Sequence, residues 1–195
     1  MSTRQWMDRG TELLLSAVKE LSDTDFAAPS ALPGWSRAHV VAHVHFNAEA
    51  LRRLVGWART GVPAQMYPSR QHRDEEIESG ARLPAARLRE LVGESAAALA
   101  REYDELTAEG LERQVRTAQG NLVPASALPW MRTREVVVHA VDLDTGADFS
   151  GLPDDLVRAL LVDVLDRRIA AGEGPALARW LTGRADTAPE LGPWL

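Results

Sequence analysis

The chain has 195 residues, 22 basic against 28 acidic, with five histidines and no cysteine. A chain of this size buries about 70% of its unfolded surface and needs no staple to fold, while the missing cysteine excludes a disulfide framework, thiolate metal ligation and a cysteine nucleophile. The net charge of −6 opposes nonspecific nucleic-acid binding, and no cationic leader or run of 18 apolar residues suggests a signal peptide or membrane span, so a cytoplasmic protein is expected.

Apolar residues recur at three and four along most of the chain, which predicts helices. Residues 3–21 place Trp6, Leu14, Val18 and Leu21 on one stripe, and the Ser-Asp-Thr-Asp segment after it ends the helix. A turn over residues 31–36 leads to Ser36, whose hydroxyl is suited to cap the next helix, predicted over 37–59. A loop with Gly61, Pro63 and Pro68 follows. Helical character resumes near His72 and is strongest over 85–106, which is rich in Ala, Leu, Glu and Arg. Residues 109–129 read as loop with a short strand near 114–117. A further helix is predicted over 131–144, closed by Asp144-Thr145-Gly146. Helices over 153–170 and 176–181 complete the chain. The four long helices before residue 146 predict a mainly α protein: a four-helix bundle over 1–146 and a reduced, mainly helical region over 147–195.

The chemistry-bearing residues concentrate on two of these helices. His39 and His43 are four apart and share a face, whereas His45 points about 200° from His43. Glu135 and His139 are also four apart and project side by side. Two histidines and a glutamate form a recurrent zinc ligand set that leaves a position open for water or substrate, and bundle cores host such sites on facing helices. Glu135 precedes Val136-Val137-Val138, so it lies in a buried stretch where a charge needs a partner.

Four ordered blocks carry a resemblance to a known family. They are LPGWSRAHVVAHV (32–44) with NAEAL (47–51), MYPS (66–69) with RDEEIESGA (73–81), WMRTREVVVHAVDL (130–143), and ARWLTGR (178–184). Together they resemble the mycothiol-dependent maleylpyruvate isomerases, which belong to the DinB-like superfamily of metal-binding four-helix bundles. The resemblance implies a zinc site made by His43, Glu135 and His139, although the same donors accept other divalent metals. It leaves His39 without direct metal contact, His45 facing outward or packed on a neighbour, and His72 exposed.

The resemblance further implies a cis-trans isomerase that converts maleylpyruvate to fumarylpyruvate. Mycothiol adds to the double bond as a thiolate, the resulting single bond rotates, and elimination restores the alkene in the trans form. Arg73 and Arg184 are the implied anchors for carboxylate or enolate oxygen, and Asn47 lies one turn beyond His43 near the thiol site. A mycothiol S-transferase acting on another electrophile fits the same residues, as does a metal-binding bundle without catalysis. The implied partners are a small-molecule substrate and a low-molecular-weight thiol, with no nucleic acid or membrane, in a monomer or homodimer. Two departures stand out: Val137 sits where many relatives carry tryptophan, and only about 50 residues follow the bundle, fewer than two-domain family members carry.

Overall fold

Helix α1 (Thr3–Glu20) begins at a capping box in which the Ser2 hydroxyl accepts from the Gln5 amide and the Gln5 side chain accepts from the Ser2 amide. Two of the free N-terminal donors are thereby satisfied. The computed structural model describes residues 1–192, which divide into two compact units, Met1–Gly151 and a second that begins at Leu152.

The first unit continues with α2 (Arg37–Thr60), α3 (Arg70–Gly80), α4 (Ala85–Asp104) and the short α5 (Ala108–Glu112). A hairpin of β1 (Gln114–Arg116) and β2 (Leu122–Pro124) follows, antiparallel with Val115 opposite Val123. Helix α6 (Leu128–Asp142) ends the set. Around the bundle the long helices run α1, α6, α2, α4 and back to α1, with α3 packed on α2. Helix α2 is buried on nearly every side, with Val40, Val41, Val44, Leu51, Leu54 and Val55 inaccessible or nearly so. A helix buried on nearly every side belongs at the centre of its fold.

The short helix α5 occupies the start of a stretch expected to be loop, and two further features differ from the sequence expectation. Helix α6 starts at Leu128, three residues earlier than predicted, because Pro129 stands in its first turn, where the missing N–H would have no intrahelical partner. It also ends at Asp142; Asp144 adopts a left-handed φ of 52° and Gly146 one of 88°. The predicted strand over 114–117 is present, but its partner β2 was not anticipated, since Leu122-Val123-Pro124 is too short to show an alternating pattern.

Helices α1 and α6 cross closely at Gly10. A Cβ built there would lie 2.7 Å from Val136 Cγ2 and 2.8 Å from Val137 Cγ2. The absence of a side chain at Gly10 thus sets how near the helix carrying Glu135 and His139 approaches α1.

Helix α2 is tied to the C-terminal end of α6 by its own N-terminus. Arg37 Nε donates to the Leu143 carbonyl at 2.6 Å and Nη2 to the Asp144 carbonyl at 3.0 Å, while the Ala31 amide donates to the Asp142 carbonyl at 2.9 Å. A cation at the exposed carbonyls of a helix end is favourable both as donor and against the helix dipole. These bonds bring the first turns of α2 level with the last turns of α6.

The second unit contains α7 (Asp154–Ala170) and α8 (Gly174–Leu181). They are joined through Gly172 at φ 86° and an Arg168–Glu173 ion pair of 3.1 Å. No helix among the described residues is long and apolar enough to cross a membrane.

Candidate metal centre

Helices α2 and α6 place His43, Glu135 and His139 together, with one ligand atom from each lying within 4.8 Å of the others. His43 Nε2 is 3.0 Å from Glu135 Oε2, and His139 Nε2 is 3.5 Å from the same oxygen. The two imidazoles meet edge to face with centroids 4.8 Å apart. Both histidines are buried, and the Glu135 side chain retains 19% exposure.

The donor set fits a divalent metal on an observation independent of spacing. His139 Nε2 is buried and has no hydrogen-bond partner among the described residues, whereas its Nδ1 is bound to Asp142 Oδ2 at 2.8 Å. Buried polar atoms are rarely left unpaired. An imidazole whose second nitrogen is held by a carboxylate while the first points at other donors has the arrangement of a metal-ligating histidine.

The electrostatics agree with that reading. Burial pushes the His43 imidazole below its ordinary range despite the opposing pull of Glu135, which favours the neutral, ligating form. Burial acts to raise the Glu135 carboxyl, but the neighbouring His139 and His43 imidazoles outweigh it and hold the group ionised. For His139, burial acts downward and is outweighed by Asp142 and Glu135, leaving the metal-free imidazole raised to about 9. A metal bound there would displace one proton from His139 at neutral pH. The apparent zinc affinity is expected to rise about tenfold per pH unit from pH 7 and to level off near pH 9, measured by competition with a chelator; a flat profile over that range would remove His139 from the ligand set.

Asp142 was not singled out from the sequence, although its position three residues after His139 on one helix was a legible signal. Asp142→Asn keeps the shape but not the charge that orients His139. Its metal affinity is expected to fall about 10- to 100-fold, read in the same chelator titration, with the helical circular dichroism unchanged.

The remaining predicted residues separate clearly. Arg73, in the first turn of α3, brings Nη2 to 3.4 Å from His43 Nδ1, and its Nη1 pairs with Asp74 at 3.0 Å. Asn47 is buried one turn beyond His43, where its Oδ1 accepts from Arg132 Nη1 at 2.8 Å. Arg184 belongs to the second unit, is exposed, and bonds the Thr182 carbonyl in its own turn.

His39 is used locally: its Nδ1 lies 2.6 Å from Ser36 Oγ in the α2 capping box. His45 is buried and stacks at 4.7 Å on Phe46. His72 is exposed and lies 3.4 Å from Glu76.

Two aromatic residues complete the surroundings. Trp35, delivered by the turn in which Gly34 has φ 80°, sets its ring edge-on to His43 at 5.6 Å. Tyr67 is raised to about 12, mainly by burial, and remains a neutral phenol.

This fold and site define a mainly helical bundle with a two-histidine, one-carboxylate candidate metal centre between two of its helices. The family described as the mycothiol maleylpyruvate isomerase N-terminal domain matches residues 7–144, and the chain belongs to that family. Among solved structures, a mycothiol-dependent maleylpyruvate isomerase is 38% identical with a TM-score of 0.81, over 84% of this chain and 68% of that one. A histidine-to-alanine mutant of a mycothiol-dependent maleylpyruvate isomerase is 37% identical, with the same TM-score and coverage. No curated protein matches the chain.

Proposed function

We propose that the chain is a mycothiol- and divalent-metal-dependent isomerase that converts maleylpyruvate to fumarylpyruvate. The observation that carries this reading is the His43–Glu135–His139 cluster with its unpaired His139 Nε2, in a chain of the isomerase family. His43, Glu135 and His139 would hold zinc or a related ion, which when bound supplies a Lewis acid able to make a thiol ionise near neutral pH. Asp142 fixes the orientation of His139. Trp35 covers one side of His43 and excludes water there. Arg73 carries its guanidinium beside the centre, where it can bind a substrate carboxylate and offset charge on a neighbouring oxygen.

Because the chain has no cysteine, a sulfur nucleophile must come from outside, which suits an external thiol. We assign catalysis to the bundle over residues 1–146, with Asn47 near the thiol. The enzyme is taken to act in the cytoplasm as a monomer or homodimer on a small-molecule substrate.

Mass analysis of the reaction mixture tests the reaction type. Incubation with zinc, mycothiol and maleylpyruvate should yield a product of unchanged mass with the thiol undiminished. A thiol adduct that accumulates as mycothiol is consumed would overturn isomerisation in favour of S-transfer.

A further inference from the structure

Arg132 is the largest fully buried side chain among the described residues, 1% exposed. Its Nη1 donates to the Val44 carbonyl and to Asn47 Oδ1, both at 2.8 Å. Its Nε and Nη2 are buried and have no hydrogen-bond partner among the described residues. It stands three residues before Glu135 on α6, and therefore on the same face. Glu135 and Tyr67 are the groups that act on its charge, and Glu135 is already engaged by His43. Burial lowers the guanidinium only to about 10, so it is charged at neutral pH.

A buried cation with two free donors is costly unless something anionic completes it. The surroundings favour an anion. Arg53 lies over the Tyr67 ring at 5.9 Å, and its Nη2 is likewise buried and unpaired. Arg73 brings a further positive charge to the centre. Glu76, which also acts on Tyr67, is the opposing charge; its Oε1 lies 3.4 Å from His72 and its Oε2 is buried without a hydrogen-bond partner among the described residues, one carboxylate against three guanidinium groups. Once Glu135 is committed to a metal, the cations are in excess.

We propose that Arg132 is a carboxylate anchor of the site, held by Val44 and Asn47 so that its unpaired Nε and Nη2 receive one carboxylate of a dianionic substrate. The neighbouring Nε and Nη2 hydrogens form a planar fork that matches the two oxygens of a carboxylate. This inference deepens the reading of the site as one for a dicarboxylate, and its test does not depend on turnover.

The test is calorimetric binding of maleate and of its half-ester, monoethyl maleate, to the zinc-loaded protein. The wild-type should prefer the dianion by about tenfold or more, since a hydrogen bond to a charged group is worth roughly that factor. In Arg132→Gln, maleate should bind about 10- to 100-fold more weakly, the preference for the dianion should collapse, and zinc stoichiometry should be unchanged. Arg132→Lys should restore only part of the affinity, because an ammonium lacks the fork.

Asn47→Asp covers the case in which Arg132→Gln does not fold. It retains Arg132 but pairs it with an internal carboxylate, and should weaken maleate binding in the same way. Maleate that binds equally well to wild-type, Arg132→Gln and Asn47→Asp would overturn the proposal and leave Arg132 as a clamp between α2 and α6. A zinc-loaded wild-type that does not bind maleate would also overturn it. Maleate binding that depends on Arg132 in a protein without isomerase activity would support the anchor and refute the reaction.

Discussion

His139→Ala is expected to release the metal and abolish isomerisation together while the bundle stays folded. The imidazole offers one of the three candidate ligand atoms, so its loss should weaken zinc binding by more than the roughly 100-fold upper range of an outer partner such as Asp142. The fold should survive because the one hydrogen bond lost with the ring, Nδ1 to Asp142, lies within α6 and joins no two helices. His43→Ala and Glu135→Ala should behave alike. His45→Ala provides the contrast, since its ring packs on Phe46 and lies off the ligand face; it should keep its zinc. Elemental analysis with circular dichroism reads both quantities, and full zinc occupancy in the three ligand variants would reject the site.

Gly10→Ala should destabilise the bundle although it replaces a poor helix former with the best one. Helix propensity favours the change by up to about 1 kcal/mol. Against it, the new methyl would meet Val136 and Val137 at 2.7 and 2.8 Å, and both valines are buried and β-branched, with little freedom to turn away. Overpacking of this kind costs about 1–3 kcal/mol, and at roughly 2–4 °C per kcal/mol the net effect is a midpoint lowered by several degrees. The larger Gly10→Leu should lower it further and weaken zinc binding, since α6 carries two of the candidate ligands. Gly93→Ala on α4 has nothing within 4 Å of the new Cβ and should raise the midpoint. A stabilised Gly10→Ala would show that the α1–α6 crossing has slack.

The long helices were legible because each buries a stripe with helical spacing, and Ser36 marked the start of α2. The ends of α6 were less so: a proline reads as a break until its place in the first turn is known. Within the site, spacing along one helix could pair Glu135 with His139 but could not reach across 92 positions to His43; only the packing of α2 on α6 does that. His39 and His43 look equivalent in sequence, and they separate because His39 is drawn back to Ser36. Arg132 and Asp142 share the ligand face at three-residue spacing, yet sequence gives no sign that one guanidinium will be buried with two free donors. Arg184 shows the opposite limit. Its motif marks it by resemblance, while its bonds in the folded chain are local to its own turn.

Catalysis is expected to need both a metal and a thiol. The most direct measurement follows the ultraviolet absorbance of maleylpyruvate with the purified protein in four mixtures: zinc and mycothiol together, each alone, and neither. A metal- and mycothiol-dependent isomerase forms fumarylpyruvate rapidly only in the first mixture and falls to the uncatalysed rate in the other three. No conversion with both present, or equal conversion without the thiol, would contradict it.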